Sequence, residues 1–328
     1  MAITSTGFQS PATKRVGLKP SVYDKIILIG ADETPLLSKI GTSSVKGIMH
    51  SWITDNIAEP KKNAQAEISD FDDTRKSTKQ ETTNAVQILT TPIMVSKTMQ
   101  KVATYGGKEL EYETAKRAKE HKLDIEYALF GLGRDNDPKK SVFMPPKIRP
   151  AEDTAGEMAG IFHFLAKGNQ NFTNGERGNV LAFDENGDWT GNSVKLTSQI
   201  LRDILQRVWE SGTAPKTIFV GANLKGAINA MVERHIKHEK KLVDSITAID
   251  TDFGLVEVKL HPFLTDKYGL GDCLVAGDFS FMKNGLLWAT TIEDVPTSKT
   301  AKQKRLYTEC CLEVRNADAF AIGVGLSA

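Results

Sequence analysis

Few residues in this sequence have the types and spacing that could do chemistry. His235 and His238 stand three apart on a helical stretch, with Glu233 and Glu239 nearby. Two imidazoles on neighbouring turns can hold a metal, but a closed site needs a third and fourth ligand, here from His261 or Cys273. His235 falls on the apolar side of the stretch and His238 among lysines. That pattern fits a packed histidine beside a solvated basic face better than a ligand pair. Asp184-Glu185-Asn186-Gly187-Asp188 starts like a calcium loop but lacks the sixth-position glycine and the closing bidentate glutamate. It reads as a turn at a strand end. Gly131-Leu132-Gly133 and Gly323-Val324-Gly325 lack the third glycine and the strand-to-helix setting of a dinucleotide site. Neither a GxxxxGK[ST] phosphate loop nor a GxSxG elbow occurs. Cys273, Cys310 and Cys311 are odd in number and have no framework spacing, which argues against a disulfide-rich fold. Cys310 and Cys311 are neighbours, so on a strand they face opposite sides as small packed residues. No catalytic residue, metal site or cofactor is expected, and the chain reads as a non-enzyme.

The elements that would position such groups tell more. The 328 residues carry a formal net charge of +1, far less basic than a dedicated nucleic-acid reader. With 40% hydrophobic and 25% charged residues, the chain is globular in composition. No run of apolar residues is long enough to span a membrane, and the first residues lack a signal-peptide core, so a soluble protein that stays where it is made is expected. Residues 1–22 are small and polar and contain Lys14, Arg15 and Lys19 but no acid. They read as an extended arm that could lie on nucleic acid or on a neighbouring subunit. In the segment 23–40, Asp32 or Thr34 could cap a short helix with Pro35 in its first turn.

Residues 45–59 and 84–96 read as strands. The polar stretch 61–83 between them is too long for a tight turn, with Ile68 and Phe71 almost its only apolar residues. The two strands would carry a polar excursion that needs a partner surface. From about Lys108 to Phe130, Glu, Lys, Ala and Leu predict a long helix. Its stripe is thin: Leu110, Thr114, Arg117, His121, Ile125 and Ala128. Gly131 and Gly133 end it, and the Pro-rich connector 134–152 follows. The stretch 153–290 reads α/β. Thr197 caps an amphipathic helix to about Ser211, Thr217–Val220 is a buried strand, Asn223 is a candidate cap of the next helix, and Leu255–Leu260 alternates as a half-buried strand. Cys273–Ala276 and Leu286–Ala289 are further strands. Tyr307–Val314 and Ala319–Leu326 are expected to pair as a hairpin. Lys237, Lys240 and Lys241 form one basic cluster; Lys299, Lys302, Lys304 and Arg305 form another. Either could meet packaged DNA or make subunit salt bridges.

The order of these elements carries a resemblance. Thr34-Pro35-Leu36-Leu37 is followed by Trp52-Ile53-Thr54-Asp55. The run Asn84–Thr98 leads into Tyr105-Gly106-Gly107-Lys108-Glu109-Leu110. Val208-Trp209-Glu210-Ser211-Gly212 precedes Pro215 and the strand TIFVGANLK, and Thr308-Glu309 precedes Leu312-Glu313-Val314-Arg315-Asn316. From about residue 20 to 326 the chain resembles the major capsid proteins of tailed bacteriophages with the Hong Kong 97-type fold. Within that group it looks most like the capsid family of short-tailed enteric phages and related prophages. The resemblance implies an α+β fold with an N-terminal arm over 1–44, extended through residue 22, and an extended loop over 45–96. A peripheral domain with a spine helix over 97–152, an axial domain over 153–290 and a return to the peripheral domain over 291–328 complete it.

It also implies self-assembly into pentamers and hexamers of an icosahedral shell around double-stranded DNA. Portal, scaffolding and decoration proteins would be partners, DNA contact would be nonspecific, and there would be no membrane contact. The place would be the virion capsid, assembled in the host bacterial cytoplasm. Inter-subunit contacts would come from Trp52, Asp55, Ile68, Phe71 and Arg75, and Lys14, Arg15 and Lys19 would face the genome. An encapsulin-type shell around cargo and another phage head protein are the competing readings.

Overall fold

The computed structural model describes residues 33–55, 57–62, 64, 67, 79–102, 107–149, 154–166, 179–183, 189, 192–233 and 247–328. In chain order these form α1 (Pro35–Lys39), β1 (Gly41–Ser44), β2 (Met49–Thr54), β3 (Gln80–Ala85), β4 (Gln87–Ser96), α2 (Glu109–Leu129), α3 (Pro138–Ser141), α4 (Ile161–Leu165), β5 (Val180–Ala182) and β6 (Val194–Lys195). There follow α5 (Ser198–Glu210), β7 (Thr217–Val220), α6 (Ala222–Glu233), β8 (Ala248–Thr251), β9 (Gly254–Leu260), β10 (Leu274–Gly277), β11 (Met282–Val295), β12 (Ala301–Val314), β13 (Phe320–Val324) and β14 (Leu326–Ser327).

Two sheets carry the body. A four-stranded sheet runs β1-β11-β12-β4, and a mixed six-stranded sheet runs β5-β13-β10-β7-β9-β8. The second is buried on both faces. Side chains alternating along its strands feed two cores, as period-two geometry requires. Ile218, Val220, Leu274 and Ala276 pack under Leu201, Ile204, Leu205 and Val208 of α5 and Leu224 and Ile228 of α6. Phe219, Val275, Phe320 and Ile322 point the other way, into a core shared with Leu129 and Phe130 at the end of α2 and with Ile161, Phe162 and Leu165 of α4.

The long helix falls where composition places it. Its thin stripe buries only toward the C-terminal end, at His121, Ile125, Glu126, Ala128 and Leu129. Gly131 then turns with φ +75°. A Cβ on the facing Gly160 would lie 2.4 Å from the Gly131 nitrogen, so this crossing of two backbones requires glycine. Thr197 caps α5 by accepting from the Ile200 N–H at 3.3 Å. The adjacent thiols Cys310 and Cys311 face separate cores, as expected of strand neighbours.

Four expectations are corrected. Tyr307–Val314 and Ala319–Leu326 do not pair. β12 lies between β11 and β4, whereas β13 lies between β10 and β5. A turn at Ala317–Ala319, capped by the Asn316 side chain accepting from the Asp318 N–H, redirects the chain. The cause is compositional: β13 is buried at every residue, and such a strand belongs inside a sheet covered on both faces. The sheets also divide the chain differently from the expected boundaries. β4 belongs to the four-stranded sheet, so the excursion proper is the β2–β3 ribbon. Residues 282–290 are continuous with 291–295 in that same sheet, and 320–324 return to the other one. Thr34 occupies the cap position of α1 without a side-chain cap bond. Asn223 sits inside α6 and donates to the Asp266 carboxylate.

Candidate assembly surfaces

The β2–β3 ribbon pairs from Met49↔Ala85 to Thr54↔Gln80, outside both sheets. Its root is pinned by polar groups. Asn84, 1% exposed, donates to the carbonyls of Ala159 and Leu312 and accepts from the N–H of Ala85 and Ala159. All four hydrogen bonds of one amide are thereby used. The Val86 N–H donates to the Ile48 carbonyl at 2.9 Å. The Glu313 carboxylate accepts from Ser43 at 2.6 Å and Arg315 at 2.8 Å, with His50 Nε2 3.3 Å away. Burial pushes this carboxyl up, but its donors Ser43, Arg315 and His50 outweigh that and hold it below the ordinary carboxylate value.

Trp52 is placed differently from its expected role. The alternation of β2 turns it inward, and its ring packs at 5.5 Å from Phe164, 8% exposed in the chain's own core. A buried indole is not available to a neighbour. The outward residues of the ribbon are instead Ile53, 68% exposed, and Ile57, fully exposed. Asp55 is exposed beside them. Ile68, Phe71 and Arg75, like Lys14, Arg15 and Lys19, lie outside the described residues, as do His235, His238, Lys237, Lys240 and Lys241.

Two buried polar nodes tie the lobes together, and sequence reasoning missed both partnerships. His121 of α2 bridges the hydroxyls of Thr91 on β4 and Thr308 on β12, each at 2.8 Å, and Thr308 donates on to Thr290. Desolvation lowers the His121 pKa against a small opposing pull from Asp124, so the ring rides neutral over the sheet. Glu126, one helical position past the predicted stripe, is completely buried. Its oxygens accept from the Leu36 and Leu37 N–H groups at 2.8 Å, serving as the cap that Thr34 does not supply to α1. The same carboxylate accepts from His261 Nε2 at 2.8 Å. His261 Nδ1 accepts from the Phe263 N–H at 3.2 Å, so Nε2 carries the proton. One carboxylate thus joins α1, the spine helix and the crossover after β9. The only hint in the sequence is a carboxylate placed among Ile125, Ala128 and Leu129.

Among the described residues no group of three or more His, Cys, Asp or Glu converges as a metal site would need. The thiols of Cys310 and Cys311 are buried, with their pKa pushed up to about 12 mainly by desolvation. No described helix is long and apolar enough to cross a membrane. A hollow of about 610 Å³ opens between α1 and β9. Beside it Lys39 and Lys259 pair with Glu257 and hold its carboxyl below the ordinary value. What the described surface does carry is exposed apolar groups in three places. These are Ile53 and Ile57 on the ribbon; Ile88, Met94 and Trp288 on the open face of the four-stranded sheet; and Trp209 and Leu255 beside the β8–β9 turn.

Comparison with known proteins agrees with this distribution. The chain is 31% identical over 157 residues to the major capsid protein of Escherichia phage Phieco32, and the alignment spans 45% of each, about half the length of that curated relative. The capsid of Myoviridae phage XM1 superposes with a TM-score of 0.61 at 12% identity over 94% of this chain and 97% of that one. The holo-SrpI encapsulin of Synechococcus elongatus PCC 7942 superposes with a TM-score of 0.58 at 9% identity over 98% and 96%. These structural likenesses establish a shared α+β capsid fold of the Hong Kong 97 type. The family model described as SU10 major capsid protein matches residues 2–327, and the chain belongs to that family.

Proposed function

We propose that this chain is a head-shell subunit that closes with copies of itself, as pentamers and hexamers, into an icosahedral shell around double-stranded phage DNA. The observation that carries the reading is the β2–β3 ribbon. It projects from two well-packed lobes and holds Ile53 and Ile57 in the open. A two-stranded ribbon has too little core of its own, and a neighbouring copy supplies the missing surface. On this reading the ribbon lies over the next subunit, with Asp55, Ile68, Phe71 and Arg75 in contact. The four-stranded sheet and α2 form the peripheral domain. The six-stranded sheet with α5 and α6 forms the axial domain around the five-fold and six-fold axes. Lys14, Arg15 and Lys19 of the N-terminal arm face the genome through nonspecific phosphate contacts. Portal, scaffolding and decoration proteins are the further partners, and assembly takes place in the host bacterial cytoplasm before the shell becomes part of the virion. The role is structural rather than catalytic.

The encapsulin likeness favours a second reading, a shell around cargo protein. Both are tested by co-expressing the chain with a scaffolding protein and examining the product by size-exclusion chromatography and negative-stain microscopy. Closed shells or rings of five or six subunits are the expected result. A monomer or dimer at high concentration would overturn the proposal. Particles that hold a protein cargo and never take up DNA would decide for the second reading.

A further inference from the structure

The far end of the four-stranded sheet is basic. Ser96 pairs with Ala301 at the last register position, and the Lys97 N–H donates to the Thr300 carbonyl at 3.1 Å. This sets the turn after β4 beside the β11–β12 tip. Lys97, Lys101, Lys299 and Lys302 are all exposed there and make no ion pair among the described residues. Only the next lysine inward, Lys304, reaches an acid, Asp294 at 3.9 Å. Among the lysines stand exposed apolar side chains: Met94 at 53%, Met99 at 41% and Val102 at 53%.

We propose that this end of the sheet docks the acidic run Glu67–Asp73 of a second copy of the chain. The inference rests on the shell reading and adds a specific contact to it. Glu67, Asp70, Asp72 and Asp73 bring four acids without a base, interleaved with Ile68 and Phe71. The occupant therefore matches the surface in charge and in apolar spacing. Complementary potentials of this kind fix register and exclude wrong partners. A DNA backbone would use the lysines but would gain nothing from Met94, Met99 and Val102.

The geometry favours a second copy over the chain's own run. The ribbon joins the sheet at Gln87, which pairs with Cys310. The basic tip is at the opposite end of the same strand, about 30 Å away at roughly 3.3 Å per residue. Root and socket at opposite ends of one strand make a head-to-tail contact, the heterologous kind that closes into rings.

The test mixes isotopically light and heavy chains before assembly with scaffolding protein. The particles are treated with a zero-length carbodiimide, which joins carboxylates to amines, and the joined peptides are identified by mass spectrometry. Light–heavy pairs linking the Glu67–Asp73 peptide to peptides carrying Lys97, Lys101, Lys299 or Lys302 are expected. The double variant Lys97→Glu with Lys302→Glu should lower their yield about tenfold or more, since like charges then oppose. Asp72→Lys with Asp73→Lys should do the same, and all four changes in one chain should restore particle yield.

Wild-type particles whose pairs lie only within one copy, or whose lysines join elsewhere, would sink the docking surface and leave the shell reading standing. So would charge-reversed particles that assemble as well as wild type and lose only DNA retention, the outcome of a phosphate-facing patch. Failure of wild type to form particles at all would sink the shell reading itself, and this contact with it.

Discussion

The two sheets of this chain bury their strands by opposite means. In the six-stranded sheet β7, β10 and β13 have no exposed residue, because helices cover one face and an aromatic core the other. In the four-stranded sheet only one face is roofed, by a mostly polar helix held through His121 and two threonines. The other face leaves Met94 and Trp288 about half exposed. The first sheet is finished within the chain. The second is half-finished, and the copies of a shell can complete it. Stability should therefore concentrate in one sheet and assembly in the other.

The sharpest break of that comparison is a pair of truncations. Phe219 is fully buried and packs 4.6 Å from Phe279 and 5.6 Å from His261. Phe219→Ala should cost about 3–5 kcal/mol in urea denaturation of the unassembled chain. Met94→Ala on the open face should stay within about 0.5 kcal/mol while lowering particle yield. Equal losses of stability would mean that the open face is not open.

Next in size is the node that couples the lobes. Glu126→Ala leaves the Leu36 and Leu37 N–H groups and His261 without their acceptor. A loss of about 1–3 kcal/mol is expected for buried donors left unpaired. Protease cleavage between residues 33 and 40 should rise in the same variant, because α1 loses its cap. An unchanged cleavage pattern would show that α1 is held by Leu36 packing alone.

A smaller effect separates the roofed face by its pH dependence. Burial lowers the His121 pKa below its ordinary 6.5. The unfolded chain therefore takes up this proton first as pH falls through that value. The unfolded state then binds more protons, so stability drops on acidification and is free of this penalty above 6.5. His121→Gln, which stays neutral between the two threonines, should lose less Tm between about pH 7 and about pH 5 than the wild type does. An identical slope would place the acid sensitivity elsewhere.

What is legible in the sequence follows from which forces are local. The helix from about Lys108 to Phe130, its glycine stop, the Thr197 cap and the opposed thiols of Cys310 and Cys311 depend on neighbours within a turn or a strand, and each can be read from the residues. The C-terminal hairpin expectation fails because Tyr307–Val314 and Ala319–Leu326 are both strand-like, and pairing adjacent strands is the default. Only the burial of β13 on both faces reveals that it must lie inside the other sheet. Glu126 is invisible for the same reason in stronger form. Its partners are 90 and 135 positions away, and no periodicity reaches that far. The contact expected of Trp52 assumes a uniform excursion, whereas the root of the ribbon is core and its outer end is surface.

The smallest predicted effect compares two helix starts. α5 begins at Thr197, whose hydroxyl accepts from the Ile200 N–H, while α2 begins at Lys108 with no side-chain cap. Thr197→Ala should destabilise the unassembled chain by about 1 kcal/mol. Lys108→Ala should lose only an ion pair to Glu111 between two side chains more than two-thirds exposed, which contributes next to nothing. If the two substitutions prove equal, α5 is held by its apolar face alone. The axial sheet would then owe its completeness to packing with no help from the cap, which would widen the contrast with the half-covered sheet.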